Sequence, residues 1–190
     1  MSWPDTWGSD DEGLGFTTFY EYCEQAFDED LLDDVIEEAG VPNDGAYTSV
    51  GTYPFEQMVA LISALCRQTG RPMPEILHNF GRFCFGKWVA YSPDFFRNKQ
   101  LFDVLASIDH FHEHEVRKLY PDAELPSFKV IARTDDRLTL RYDSCKPLAD
   151  LAAGVIAGAS NYLLTPVSIE RSVGQDPGGD YVRFDIAKAA

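Results

Sequence analysis

Apolar residues recur along this chain at two spacings, and the change from one to the other divides it. As far as Tyr120 they return every three or four residues, the period of a helix with one buried face. Phe16, Phe19, Tyr20, Cys23 and Phe27 mark one such helix over Phe16–Ala26. DEDLLDDVIEEA predicts a second over Asp28–Ala39, with acidic residues in its first turn and Gly40 as its C-cap. After a loop rich in Pro, Asn, Asp and Gly, the spacing predicts helices over Pro54–Thr69, Pro74–Tyr91 and Leu101–Tyr120. A turn over Pro121–Pro126 follows, and the period then falls to two. Phe128, Val130 and Ala132 alternate, and so do Leu138, Leu140 and Tyr142, with Arg133–Arg137 as the hairpin loop between them. A helix over Leu148–Leu163 presents Gly154, Gly158 and Ala159 on a face open to close approach. Strands over Val167–Ser172 and Tyr181–Ile186, joined through Gly174–Gly179, end the series. The layout is α+β: an N-terminal helical subdomain followed by a C-terminal antiparallel sheet packed with helices. Residues 1–14 are polar, acidic and glycine-rich and read as a flexible tail, which leaves 15–190 as a single domain.

The helix predicted over Leu101–Tyr120 carries the first candidate for chemistry. Leu101, Leu105, Ile108, His112, Val116 and Leu119 share one face for about five turns, whereas Asp109, Glu113 and Arg117 point away. His110 and His114 lie roughly 160° to 200° around the helix from His112. An inward imidazole is either a core histidine met by backbone or water, or a metal ligand. One histidine is too few for a structural zinc site, yet it suffices for haem, where the porphyrin supplies the other four nitrogens.

A second candidate is Tyr142-Asp143-Ser144-Cys145-Lys146, which ends a strand and opens the Leu148 helix. Period two puts Tyr142, Ser144 and Lys146 on one face: two hydroxyl donors and a cation, a set suited to an anion. The plainer reading is a solvated strand end. The formal net charge of −15 argues against nucleic acid and anionic membrane as partners. No apolar run is long enough to span a bilayer, and the N-terminus lacks the basic and apolar regions of a signal peptide, so a cytoplasmic protein is expected. Cys23, Cys66, Cys84 and Cys145 are scattered and form no C-x-x-C pair, as expected of thiols in a reducing compartment. Nucleotide-binding and hydrolase motifs are missing, so no enzyme is expected.

The order and spacing of three pieces resemble the H-NOX family, the haem nitric-oxide/oxygen-binding domains of bacterial gas sensors and soluble guanylate cyclase. The first is the helix of His112, followed by Leu119-Tyr120-Pro121-Asp122-Ala123 and Pro126-Ser127-Phe128. The second is a Tyr-x-Ser-x-Arg motif, here Tyr142 to Lys146, with Lys in place of Arg. The third is the helix opening at Leu148-Ala149-Asp150-Leu151. The resemblance covers about Gly15 to Ile186 and implies a sheet and helices packed around a pocket for haem b (iron protoporphyrin IX). It implies His112 as the axial iron ligand and Tyr142, Ser144 and Lys146 as the propionate clamp. The interval from His112 to Tyr120-Pro121 is one residue longer than the family pattern, which keeps His114 as a second candidate ligand and His110 as a poorer third. The distal lining falls at Phe19, Phe80, Cys84 and Leu151. Leu151 stands where oxygen-binding members carry a tyrosine, and an apolar lining implies selectivity for nitric oxide over oxygen.

By the same resemblance the chain is expected to sense nitric oxide through the iron–His112 bond and to pass the signal to a separate protein, such as a histidine kinase or a cyclic-di-GMP enzyme. Two other functions stay open on the sequence. Lys146 lacks the planar fork of arginine, which favours a haem-independent module binding an apolar ligand or a protein in the same cavity. A thiol redox sensor acting through Cys84 or Cys145 is the third.

Overall fold

The structure is a computed structural model that describes residues 10–112, 114, 117, 125–177 and 179–189. The chain divides into two compact units, Met1–Phe80 and Gly81–Ala190.

In the first unit a short strand β1 (Asp10–Glu12) leads into helix α1 (Gly13–Ala26) and then α2 (Glu29–Ala39). Asp28 caps α2, its side chain accepting from the Leu31 N–H, and Gly40 ends it with left-handed φ of 61°. A 3-10 turn at Pro42–Gly45 precedes strand β2 (Thr52–Pro54) and helix α3 (Phe55–Thr69), and helix α4 (Met73–Tyr91) begins in this unit. Residues 1–9 of the expected tail lie outside the described residues. Asp10–Glu12, by contrast, pair antiparallel with Thr52–Pro54, and Gly13 and Leu14 already belong to α1. Backbone pairing across some forty residues leaves no trace in local polarity. The unit's interior is aromatic. Phe16 stacks on Tyr47 at 4.3 Å, Phe19 meets Phe80 edge-on at 5.4 Å, and the Tyr20 hydroxyl donates to the Gly45 carbonyl at 2.9 Å.

In the second unit α4 ends at Tyr91, and α5 (Pro93–Phe96), α6 (Leu101–Ala106) and α7 (Ile108–Phe111) follow. Beyond them come β3 (Ser127–Arg133), β4 (Arg137–Asp143), helix α8 (Ala149–Tyr162), β5 (Val167–Asp176) and β6 (Gly179–Lys188). The four strands form one antiparallel sheet in the order β3-β4-β6-β5. Leu138, Leu140 and Tyr142 on β4 oppose Ile186, Phe184 and Val182 on β6, and this face packs with α6 and α8 into the core. On the other face Arg141 opposes Arg183. That like-charged pair is offset by Asp143, Asp176 and Asp185, all bonded to one or other guanidinium.

Three details depart from the sequence reading. The helix expected over Leu101–Tyr120 breaks at Ser107, whose φ of −103° and ψ of 7° end α6, and whose hydroxyl donates to the Val104 carbonyl. After the break Phe111 is buried and His112 half-buried, while Val116, Leu119 and most of Pro121–Pro126 fall outside the described residues. On β3 only Phe128 is buried: this is an edge strand, and a bulge between Val130 and Ala132 undoes the alternation. The second hairpin is tighter than expected, its ladder running on to Asp176 opposite Gly179.

Helices α4 and α8 meet closely at two glycines. A Cβ on Gly81 would stand 2.1 Å from the Leu151 carbonyl oxygen, and one on Gly158 would stand 2.9 Å from the Phe85 Cβ. Gly86, one turn beyond Gly81, has open space around it. Opposite effects are therefore expected within one helix. Gly81→Ala should destabilise by about 1–3 kcal/mol through overpacking against backbone, and Gly86→Ala should stabilise by up to about 1 kcal/mol through helix propensity. Urea unfolding of the two variants checks both signs.

Candidate functional site

His112 follows directly on α7, at a turn with π-type hydrogen bonding of the kind often found at functional positions. Its Nδ1 lies 3.1 Å from the Pro126 carbonyl oxygen. A carbonyl can only accept, so Nδ1 carries the proton and the lone pair sits on Nε2, the metal-binding form of the ring. Asp109, one turn earlier, was expected to face solvent. Instead it is half-buried and accepts from the Ser127 hydroxyl at 3.2 Å and from the Phe128 N–H. Asp109 and His112 thus grip three successive residues at the start of β3. The other side of α7 is anchored by Phe111, whose ring lies 4.4 Å from that of Trp88 and 5.1 Å from that of Phe95. A residue three before an inward histidine was the one available signal for Asp109, and the Ser107 break hid it.

The second candidate ligand stands differently. His114 is exposed, its Nδ1 is 2.9 Å from the His110 carbonyl, and its ring stacks on that of His110. Among the described residues no group of three or more His, Cys, Asp or Glu side chains could hold a metal ion between them. A lone histidine with its tautomer set this way fits a cofactor that brings its own ligands, as haem does.

Tyr142, Ser144 and Lys146 come together although β4 ends at Asp143, because a turn rather than the strand carries the last two. They line one cavity of about 270 Å³, together with Pro147, Ala149, Val173, Asp180, Tyr181 and Val182. The Lys146 N–H donates to Ser144 Oγ at 3.1 Å. Lys146 is only 7% exposed, so it is no solvated surface lysine. Burial pushes the Tyr142 phenol up to about 12, against a smaller downward pull from its hydrogen bond with Ser144, so it stays a neutral donor. Two hydroxyls and a buried ammonium fit carboxylate arms such as propionates. The β6 contributions, Asp180 and Tyr181, were not legible in the sequence, because only strand pairing brings them here. Arg141 faces the opposite side of β4, held by Asp143 and Asp176 and lying 4.1 Å over the Tyr181 ring.

Of the residues expected to form the distal lining, Phe19 and Phe80 touch one another in the first unit. Leu151 lies in the first turn of α8, half-buried, with its carbonyl against Gly81. Cys84 keeps some accessible surface, yet the atoms packed about it desolvate the thiol and push it up to about 12.

Comparison with known proteins identifies the fold and the family. The model of the family described as Haem-NO-binding matches residues 12–171. The crystal structure of the Fe(II) unliganded H-NOX protein from K. algicida is 30% identical. It superposes with a TM-score of 0.83 over 94% of this chain and 97% of that one. An H-NOX protein from S. oneidensis in the Fe(II)NO ligation state, 19% identical, gives 0.83 over 94% and 99%. An oxygen-binding H-NOX domain related to soluble guanylate cyclases, solved as its oxygen complex, is also 19% identical and gives 0.80 over 94% and 95%. The last two share the fold. A search of curated proteins finds no match. On the family model and the K. algicida relative together, this chain belongs to the H-NOX family of haem-based gas-sensing domains.

Proposed function

We propose that residues 15–190 act as one haem b domain that senses nitric oxide and signals to a separate protein in the cytoplasm. The observation that carries this reading is the His112–Pro126 hydrogen bond, which leaves the lone pair on Nε2, the atom an axial ligand presents. When bound, haem b would supply an iron able to take an imidazole nitrogen and a diatomic gas as ligands. His112 would hold it on one side, and the Tyr142 and Ser144 hydroxyls and the Lys146 ammonium would hold its propionates. Phe19, Phe80, Cys84 and Leu151 would line the distal side. Leu151 has no hydrogen to donate to bound oxygen, and a lining without a strong donor favours nitric oxide.

The output would run through this chain's own contacts. His112 is tied to Pro126, and Asp109 to Ser127 and Phe128, so a change in the restraint on His112 reaches β3 without an intermediary. Phe128 in turn packs on Tyr142 at 5.0 Å, which links the histidine to the anion cavity. A partner of the histidine-kinase or cyclic-di-GMP class would read the resulting two-state packing change. This reading assigns the chain no reaction of its own. No helix among the described residues is long and apolar enough to cross a membrane.

Lys146 favours one alternative, a haem-independent module, because an ammonium pairs with a carboxylate less specifically than a guanidinium fork. A redox sensor at Cys84 is disfavoured by its raised thiol, since the thiolate is the reactive form. Adding haemin to the purified chain separates these functions. A Soret band that moves under nitric oxide and not under oxygen is expected. A protein that takes up no haemin, or whose ferrous spectrum ignores nitric oxide, would sink the proposal.

Three further outcomes are expected. His112→Gly should cut haem retention through gel filtration by roughly tenfold or more, and free imidazole should restore it. Lys146→Ala should weaken haem binding by about ten- to a hundredfold, the worth of a hydrogen bond to a charged group, whereas Lys146→Arg should tighten it. The third concerns pH. The folded-state phenol of Tyr142 lies above the ordinary value of about 10, so its contribution is complete below pH 10 and lost as pH rises through about 12. Between pH 10 and about 12 the wild type should lose stability that Tyr142→Phe keeps, as chemical unfolding would show.

A further inference from the structure

With His112 as the proposed haem ligand, His110 and His114 are left without a role in holding haem. They stand one helical turn apart, the spacing that puts two side chains on one face, and both are exposed. Their rings stack with centroids 3.9 Å apart and planes inclined by 30°. His114 Nδ1 lies 2.9 Å from the His110 carbonyl, so that nitrogen carries the proton and Nε2 the lone pair. Proteins preset metal-ligating histidines in this way, with one ring nitrogen donating to an oxygen and the other left to the ion. Two imidazoles on one tetrahedral ion have their nitrogens about 3.3 Å apart, given a metal–nitrogen distance of about 2.0–2.1 Å. The ring pair is already within reach of that distance, and closing on an ion requires both rings to turn out of their stack until the Nε2 lone pairs converge.

We propose that His110 and His114 form a two-imidazole site for a divalent transition ion of the zinc, copper or nickel class, with water completing the shell. The class follows from the donors: imidazole nitrogen suits these ions, whereas magnesium and calcium require oxygen. Two imidazoles are fewer protein ligands than the four of a structural zinc centre, so the site proposed is an exchangeable one. The two histidines bracket His112, so a bound ion staples the turn that bears it. The site itself stands whether or not haem binds.

The test uses the full chain without a histidine tag, titrated with zinc by calorimetry. One site with a dissociation constant on the order of micromolar is expected. His110→Gln and His114→Gln should each weaken it roughly tenfold or more, and Cys145→Ser should leave it unchanged. Circular dichroism confirms that these exposed substitutions leave the fold intact. Copper(II) resonance spectra of the wild-type chain give a second readout, expected to show two equivalent imidazole nitrogens. Zinc affinity no better than millimolar, wild-type affinity in both histidine variants, loss of binding in Cys145→Ser, or a copper spectrum without paired imidazoles would overturn the proposal.

Discussion

A hydrogen bond from an imidazole N–H to a proline carbonyl decides what the rest of the second unit can do. Pro126 has no N–H of its own, so its carbonyl is its one backbone offering, and His112 takes it. The bond fixes the ring's tautomer and orientation together. Asp109 strengthens the same junction by meeting the next two residues, and Phe111 wedges the opposite side of α7 among aromatic rings. A four-residue helix could not hold this position by its own backbone bonds. It is held from outside, on one side by the start of β3 and on the other by Trp88 and Phe95.

The sheet turns that junction into part of a larger unit. Phe128 stands opposite Tyr142 on β4, and Tyr142 stands opposite Val182 on β6, so one row of cross-strand neighbours leads from the histidine's anchor to the wall of the anion cavity. The cavity needs Lys146 buried, and burial of an ammonium is costly unless acceptors or an anion share its space. Tyr142, Ser144 and Asp180 line the same cavity as Lys146. On the sheet's other face the arginine pair is neutralised locally by Asp143, Asp176 and Asp185.

Close approach of α4 and α8 sets a further constraint. Two helices whose backbones touch at Gly81 and Gly158 cannot slide without losing that fit, because interiors packed at crystal density have few intermediate arrangements. Leu151 owes its place to this crossing: its carbonyl abuts Gly81, which settles where the first turn of α8 lies.

The sequence by itself determined the element types, because hydrophobic period is a local property. The succession of helices and then the order β-β-α-β-β are present as read, although the long helix is broken and the alternation expected on β3 is lost at its bulge. The family was legible as well, from the order and spacing of the His112 helix and the motif Tyr142-x-Ser144-x-Lys146. Only the tertiary structure decided where the long helix breaks, since Ser107 bonds back to Val104 in competition with the helix ladder. It alone made β1 a strand, because that depends on a partner some forty residues away. It alone turned Asp109 from a solvent-facing charge into an anchor and brought Asp180 and Tyr181 to the cavity. Apart from the local Ser107 bond, each of these rests on a contact between segments distant in the chain, and no periodicity within a segment encodes which distant segment will meet it.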